Sequence, residues 1–87
     1  MSTNQLEQHD MRRSGVVGIS ISDAVGMTTK ITEILESSHG IIKNVTMFPA
    51  SKERVMAVII RATTDELGAL TGRLGMVPGV RVKSVLF

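Results

Sequence analysis

The residues best placed to do chemistry sit in one short stretch, "ISDAVGMTTK", from Ile21 to Lys30. Ser22 and Asp23 carry side-chain oxygens of the kind that accept the first N–H groups of a helix. Unpaired N–H groups at a helix start can also hold a carboxylate, and Gly26 would let such a ligand approach the backbone. Capping and ligand binding use the same groups, and both can hold at once. Elsewhere the chemistry is thin. The 87 residues contain two histidines, His9 and His39, and no cysteine, so disulfides and thiolate chemistry are excluded. A transition-metal site needs three or four convergent ligands, and none is expected within one chain. His39 reads instead as a residue favoured by the negative end of a helix dipole. No serine or threonine has a base at recognisable spacing. The carboxylates Asp23, Glu33, Glu36, Glu53, Asp65 and Glu66 fall at helix starts, on polar faces or in a hairpin. The chain is therefore expected to have no catalytic residues, no metal and no cofactor.

The formal charge of +2 is spread over both halves of the chain, unlike the clustered basic surface of a dedicated nucleic-acid binder. Aromatic side chains are limited to Phe48 and Phe87, which leaves little on which to stack a base. The N-terminal "MSTNQLEQHDMRRSG" lacks the apolar run of a secretory signal, and no window approaches the roughly 20 apolar residues of a membrane span. A cytoplasmic protein without direct DNA, RNA or membrane binding is the expectation.

Residues 1–13 have no apolar periodicity and read as a flexible tail, with one domain over 14–87. "GVVGISIS" alternates Val17, Ile19 and Ile21 against Val16, Gly18 and Ser20, the period of a strand. A helix to about Ser38 follows, with Met27, Ile31, Ile34 and Leu35 as its apolar stripe. Ile41 to Phe48 and Val55 to Ala62 form a hairpin around "PASKER". Thr63 and Glu66 have capping-box spacing and start a second helix, and "MVPG" turns the chain into a last strand, Val80 to Phe87. The order is β-α-β-β-α-β, an α+β ferredoxin-like plan with a four-stranded antiparallel sheet, two helices on one face and the first and third strands central. Base-stacking modules that share this plan need aromatics on those central strands, which have none. A glycine-flanked arginine loop of the acylphosphatase kind is also missing from "SDAVGMTTK".

One strand and one helix break the expected patterns. Met56, Val58 and Ile60 alternate with Val55, Ala57 and Ile59, so the third strand is apolar on both faces, whereas a sheet with one wet face should show a polar set. A homo-oligomer, dimer or tetramer, is expected to cover the second face, with Ala57, Val58 and Ile59 as the interface candidates. In "LGALTGRLG" (Leu67 to Gly75) three glycines line up beside the leucine stripe, each costing up to about 1 kcal/mol against alanine. Such an edge can seat a neighbouring helix, a partner or a ligand. The expectation is that Gly75 caps the helix and that Gly68 and Gly72 allow close helix packing.

The segment "TTDELGALTGRLGMVPGVRVKSVLF" closely resembles the end of the small proteins described as iron-only hydrogenase system regulators, which read "GALTGKLG", a short turn, then "PGV.VKS". The resemblance extends through "GVVGI" and "ITEILESSHGIIKNVTMFP" to most of residues 15–87, and it departs at "FPASKERV" and in the polar N-terminus. That family is similar to ACT domains and to the C-terminal regulatory domain of the nickel-responsive repressor. The resemblance implies an ACT-like, non-enzymatic regulatory module that oligomerises through its sheet. It also implies a small-molecule effector held where Ser22, Asp23 and Gly26 match the ligand-contacting loop of ACT domains. The alternative is a structural protein–protein interaction domain with no metabolite ligand.

Overall fold

Alternating β-branched residues and two amphipathic stripes produce six elements in the computed structural model, which describes residues 11–22, 27–49 and 53–87. They are β1 (Arg13–Ser22), α1 (Met27–Ser37), β2 (Ile42–Pro49), β3 (Glu53–Ala62), α2 (Thr64–Gly75) and β4 (Val80–Leu86). The strands form one antiparallel sheet in the order β2-β3-β1-β4, with β1 and β3 in the centre as the pattern predicts. Hairpin strand β2 enters through a register irregularity between Ile42 and Asn44. Both helices lie on one face. Ile31 and Leu35 of α1, and Leu67, Leu70 and Leu74 of α2, close over Val17, Ile19 and Ile21 of β1 and Met56, Val58 and Ile60 of β3. Each fully buried aliphatic side chain contributes about 1.5–3 kcal/mol, so this single layer carries most of the stability. Ile34 is half-buried against the same core. The side chain of Met27, also expected in the stripe, lies outside the described residues, as do residues 1–10 of the expected tail.

Helix α2 begins as the Thr63-x-x-Glu66 spacing predicts. The Glu66 N–H donates to Thr63 Oγ1 at 3.1 Å, and the Thr63 N–H donates to Glu66 Oε1 at 2.9 Å. Antiparallel pairing of Arg13 with Ala62 then brings Arg12 alongside this cap. Its guanidinium grips the Glu66 carboxylate with two bonds, Nη2 to Oε2 at 2.8 Å and Nε to Oε1 at 3.1 Å. The Arg12 hydrogen bonds, followed by the Thr63 N–H, hold the Glu66 carboxyl below its ordinary range. A depressed carboxyl contributes stability above its unfolded value, near pH 4.3, and loses it as pH falls through the lower folded value. Thermal melts should therefore show wild type losing stability below about pH 4. Glu66→Gln keeps the capping geometry but loses the charged pair with Arg12, so it should melt slightly lower at pH 7, by up to about 1 kcal/mol, and show a shallower acid slope. Parallel acid slopes would exclude a role for this pair.

The far end of α2 differs from the expectation for Gly75. The C-cap is Met76, at φ −81°, and the turn is made four residues after Gly75 by Gly79, at φ +80°. Only glycine adopts that φ without strain, which places the sharp reversal immediately before β4.

Candidate functional site

Ser22, the last residue of β1, is held by the turn into β4. Its N–H donates to the Gly79 carbonyl at 3.0 Å, and its Oγ donates to the same oxygen at 3.1 Å. The hydroxyl proton of Ser22 thus goes to a segment 57 residues away along the chain. Asp23 and Gly26, the other two ligand candidates, lie outside the described residues.

The face of the sheet opposite the helices is built row by row from the pairing register. Thr46, Ala57, Gly18 and Lys83 form its middle row, from β2 across β3 and β1 to β4. Toward one end lie Asn44, Ile59, Val16 and Val85, and toward the other lie Phe48, Val55, Ser20 and Arg81. Large apolar side chains stand open here: Ile59 is 40% exposed, Phe48 51% and Val85 54%. Beside Phe48 and Val55 the second end carries a polar cluster, with Ser20 Oγ donating to Glu53 Oε2 and Arg81 Nη2 lying 3.8 Å from that oxygen. Three candidates from β3 thus separate. Ala57 and Ile59 are on the outer face, whereas Val58 is 0% exposed in the core and cannot be an interface residue. A period of two puts them on opposite faces, and the helices decide which face is inside.

The expected role of Gly68 and Gly72 in close helix packing is also corrected. Both are exposed, and a Cβ built on either would meet no atom within 4 Å beyond its own helix and chain neighbours. The glycine edge of α2 points away from α1. Besides the shared core, Arg73 bridges the two helices, its Nη1 and Nη2 donating to Ser37 Oγ at 2.9 Å and Ser38 Oγ at 2.8 Å. Sequence reasoning missed this contact because its partners are more than thirty residues apart.

A shallow groove of about 330 Å³ separates α1 from edge strand β2, lined chiefly by Leu35, His39, Ile42, Val45 and Met56. His39 Nδ1 lies 3.0 Å from the Glu36 carbonyl, so the imidazole closes the end of its own helix. Among the described residues, no three His, Cys, Asp or Glu side chains converge as metal ligands, and no helix is long and apolar enough to cross a membrane.

This arrangement has relatives. The model of the TM1266-like family, described as "Iron-only hydrogenase system regulator, putative", matches residues 13–84. The chain belongs to this family. Among solved structures, the uncharacterized TM1266 protein of Thermotoga maritima is 26% identical, with a TM-score of 0.82 over 87% of this chain and 98% of that one. The ACT domain of a Chlorobium tepidum GTP pyrophosphokinase is 24% identical, with a TM-score of 0.74 over 85% and 99% of the two chains. The regulatory subunit of Thermus thermophilus aspartate kinase is 21% identical, with a TM-score of 0.56 over 87% of this chain and 52% of that one. These last two likenesses show the fold alone. No curated protein matches the chain. Family membership and ACT-like architecture together support a regulatory module.

Proposed function

We propose that this chain is a non-enzymatic, cytoplasmic regulatory module of an iron-only hydrogenase system that acts as a homo-oligomer and senses a small effector near the turn after β1. The observation that carries the reading is the outer sheet face. A folded domain gains nothing by leaving Ile59, Phe48 and Val85 in water, and burying them against a second copy recovers about 25 cal/mol per Å² of apolar area. An assembly also supplies what so small a domain lacks, a sheltered boundary at which a ligand can be enclosed. Its regulatory output then passes through a partner, because the outer positions of β1 and β3 offer no aromatic platform for nucleic acid.

Thermal-shift screening against amino acids and nucleotides tests the sensing. A ligand at about a hundred times its Kd stabilises the native state by about 2.7 kcal/mol. For a domain of this size that raises the melting temperature by roughly 10 °C or more. Gly26→Val should abolish the rise while leaving the fold intact, by filling the approach to the helix start. One observation favours the second reading, an interaction domain without a metabolite: both donors of Ser22 are committed to the Gly79 carbonyl and are not free for a ligand. A screen with no saturable shift, from a protein that still self-associates, would establish that reading.

A further inference from the structure

We infer that two copies stack outer face to outer face about a two-fold axis that runs parallel to the strands, between β1 and β3, so that each β2 lies over the partner's β4. This rests on the self-association proposed above and specifies its geometry. Two aligned face-to-face arrangements are available to a sheet that pairs with itself, and the charges on this face separate them. An axis along the strands keeps each row on the same row of the partner but exchanges the columns. Ile59 then covers the partner's Val16, Ala57 covers its Gly18, and Val55 covers its Ser20. Lys83, in the middle row at one margin, faces Thr46 at the uncharged margin of the partner. Arg81 likewise faces Phe48, an exposed ring on which a guanidinium can lie.

An axis across the strands instead keeps each column on itself and inverts the rows. Lys83 then meets Lys83 of the second copy, a like-charge contact, and Val85 meets Arg81. Sliding the copies toward Ile59 to escape this puts Arg61 over Ala57 and leaves Val55 and Phe48 in water. The small residues at the centre of the face, Ala57 and Gly18, let two sheets approach to the ordinary spacing of about 10 Å in either stack, so it is the charges that separate the two.

The two geometries predict opposite signs for one exposed substitution. Thr46 is exposed, so Thr46→Glu should leave the fold unchanged. In the strand-parallel stack the new carboxylate meets the partner's Lys83 twice per dimer, and the dimer dissociation constant from light scattering or sedimentation should fall about five-fold at low salt. That gain should vanish near 1 M salt, and Thr46→Lys should weaken the dimer. In the inverted stack Thr46 faces its own copy, so Thr46→Glu would loosen the dimer. Loosening, or no change, overturns the inferred axis while leaving self-association intact. A wild-type protein that is monomeric at high concentration overturns both.

Discussion

Val58→Glu is expected to leave this protein unfolded at room temperature, and Ala57→Glu, one residue earlier, is expected to give a folded monomer. Val58 is fully enclosed under the helices, where its neighbours across the sheet are Val17 and Val45. No cation faces into this core, which contains no buried polar or charged residue among those described. A carboxylate there must be desolvated without a partner or must bind a proton. The effective cost is several kcal/mol, comparable with the whole stability of a small domain, about 5 kcal/mol at the low end of the usual range. Ala57 points to the bare face, and a glutamate there remains in water in the monomer. Its penalty appears only when a second sheet is laid over it, so the effect falls on association and not on folding. Circular dichroism and light scattering on the two variants read these outcomes separately. A folded Ala57→Glu protein of unchanged mass would remove the outer face as the interface.

The second large effect is a change of sign among glycines. Gly15→Ala should destabilise the fold, whereas Gly68→Ala and Gly72→Ala should stabilise it. At Gly15 an added Cβ would lie 2.5 Å from the Val85 carbonyl oxygen and 2.8 Å from Leu86 Cδ2. The first of these is backbone, so β4 itself would have to shift, and overpacking of this kind costs about 1–3 kcal/mol. At Gly68 and Gly72 the same methyl meets open space, and replacing glycine by alanine in a helix interior gains up to about 1 kcal/mol each. With about 4–8 °C per kcal/mol, the Gly68→Ala/Gly72→Ala protein should melt roughly 10 °C higher. Gly72→Leu should also fold, because no neighbouring helix occupies that edge. Light scattering alongside the melts decides what the edge is for. Higher melting with unchanged mass assigns the glycines no packing role, and higher melting with dissociation makes the edge of α2 a contact between copies.

Much of the architecture could be read from local patterns because its causes are local. Strand alternation in "GVVGISIS", β-branched density in "VMAVIIRA" and the Thr63–Glu66 spacing each act within a few residues, and each element forms where its pattern lies. Their order then leaves few ways to build a sheet, and the central placement of β1 and β3 follows. The doubly apolar β3 announced from sequence that one face would be left bare. Which face could not be read, because Val58 and Ala57 are both apolar and the choice is made by helices packed from elsewhere in the chain. A helical wheel likewise places Gly68 and Gly72 on one edge of α2 but is silent about what stands opposite, and the register of the fold leaves that edge open. Ser22 shows the same limit at the candidate site. Its type and position beside a turn suit a cap, yet its hydroxyl closes on Gly79, a partner that only the pairing of β1 with β4 brings within reach. Sequence by itself determined the elements, their order and the excess of apolar surface, since these depend on contacts a few residues apart. Tertiary structure alone decided which side chains face water and which polar groups are already engaged, since those depend on neighbours that chain folding delivers from more than fifty residues away.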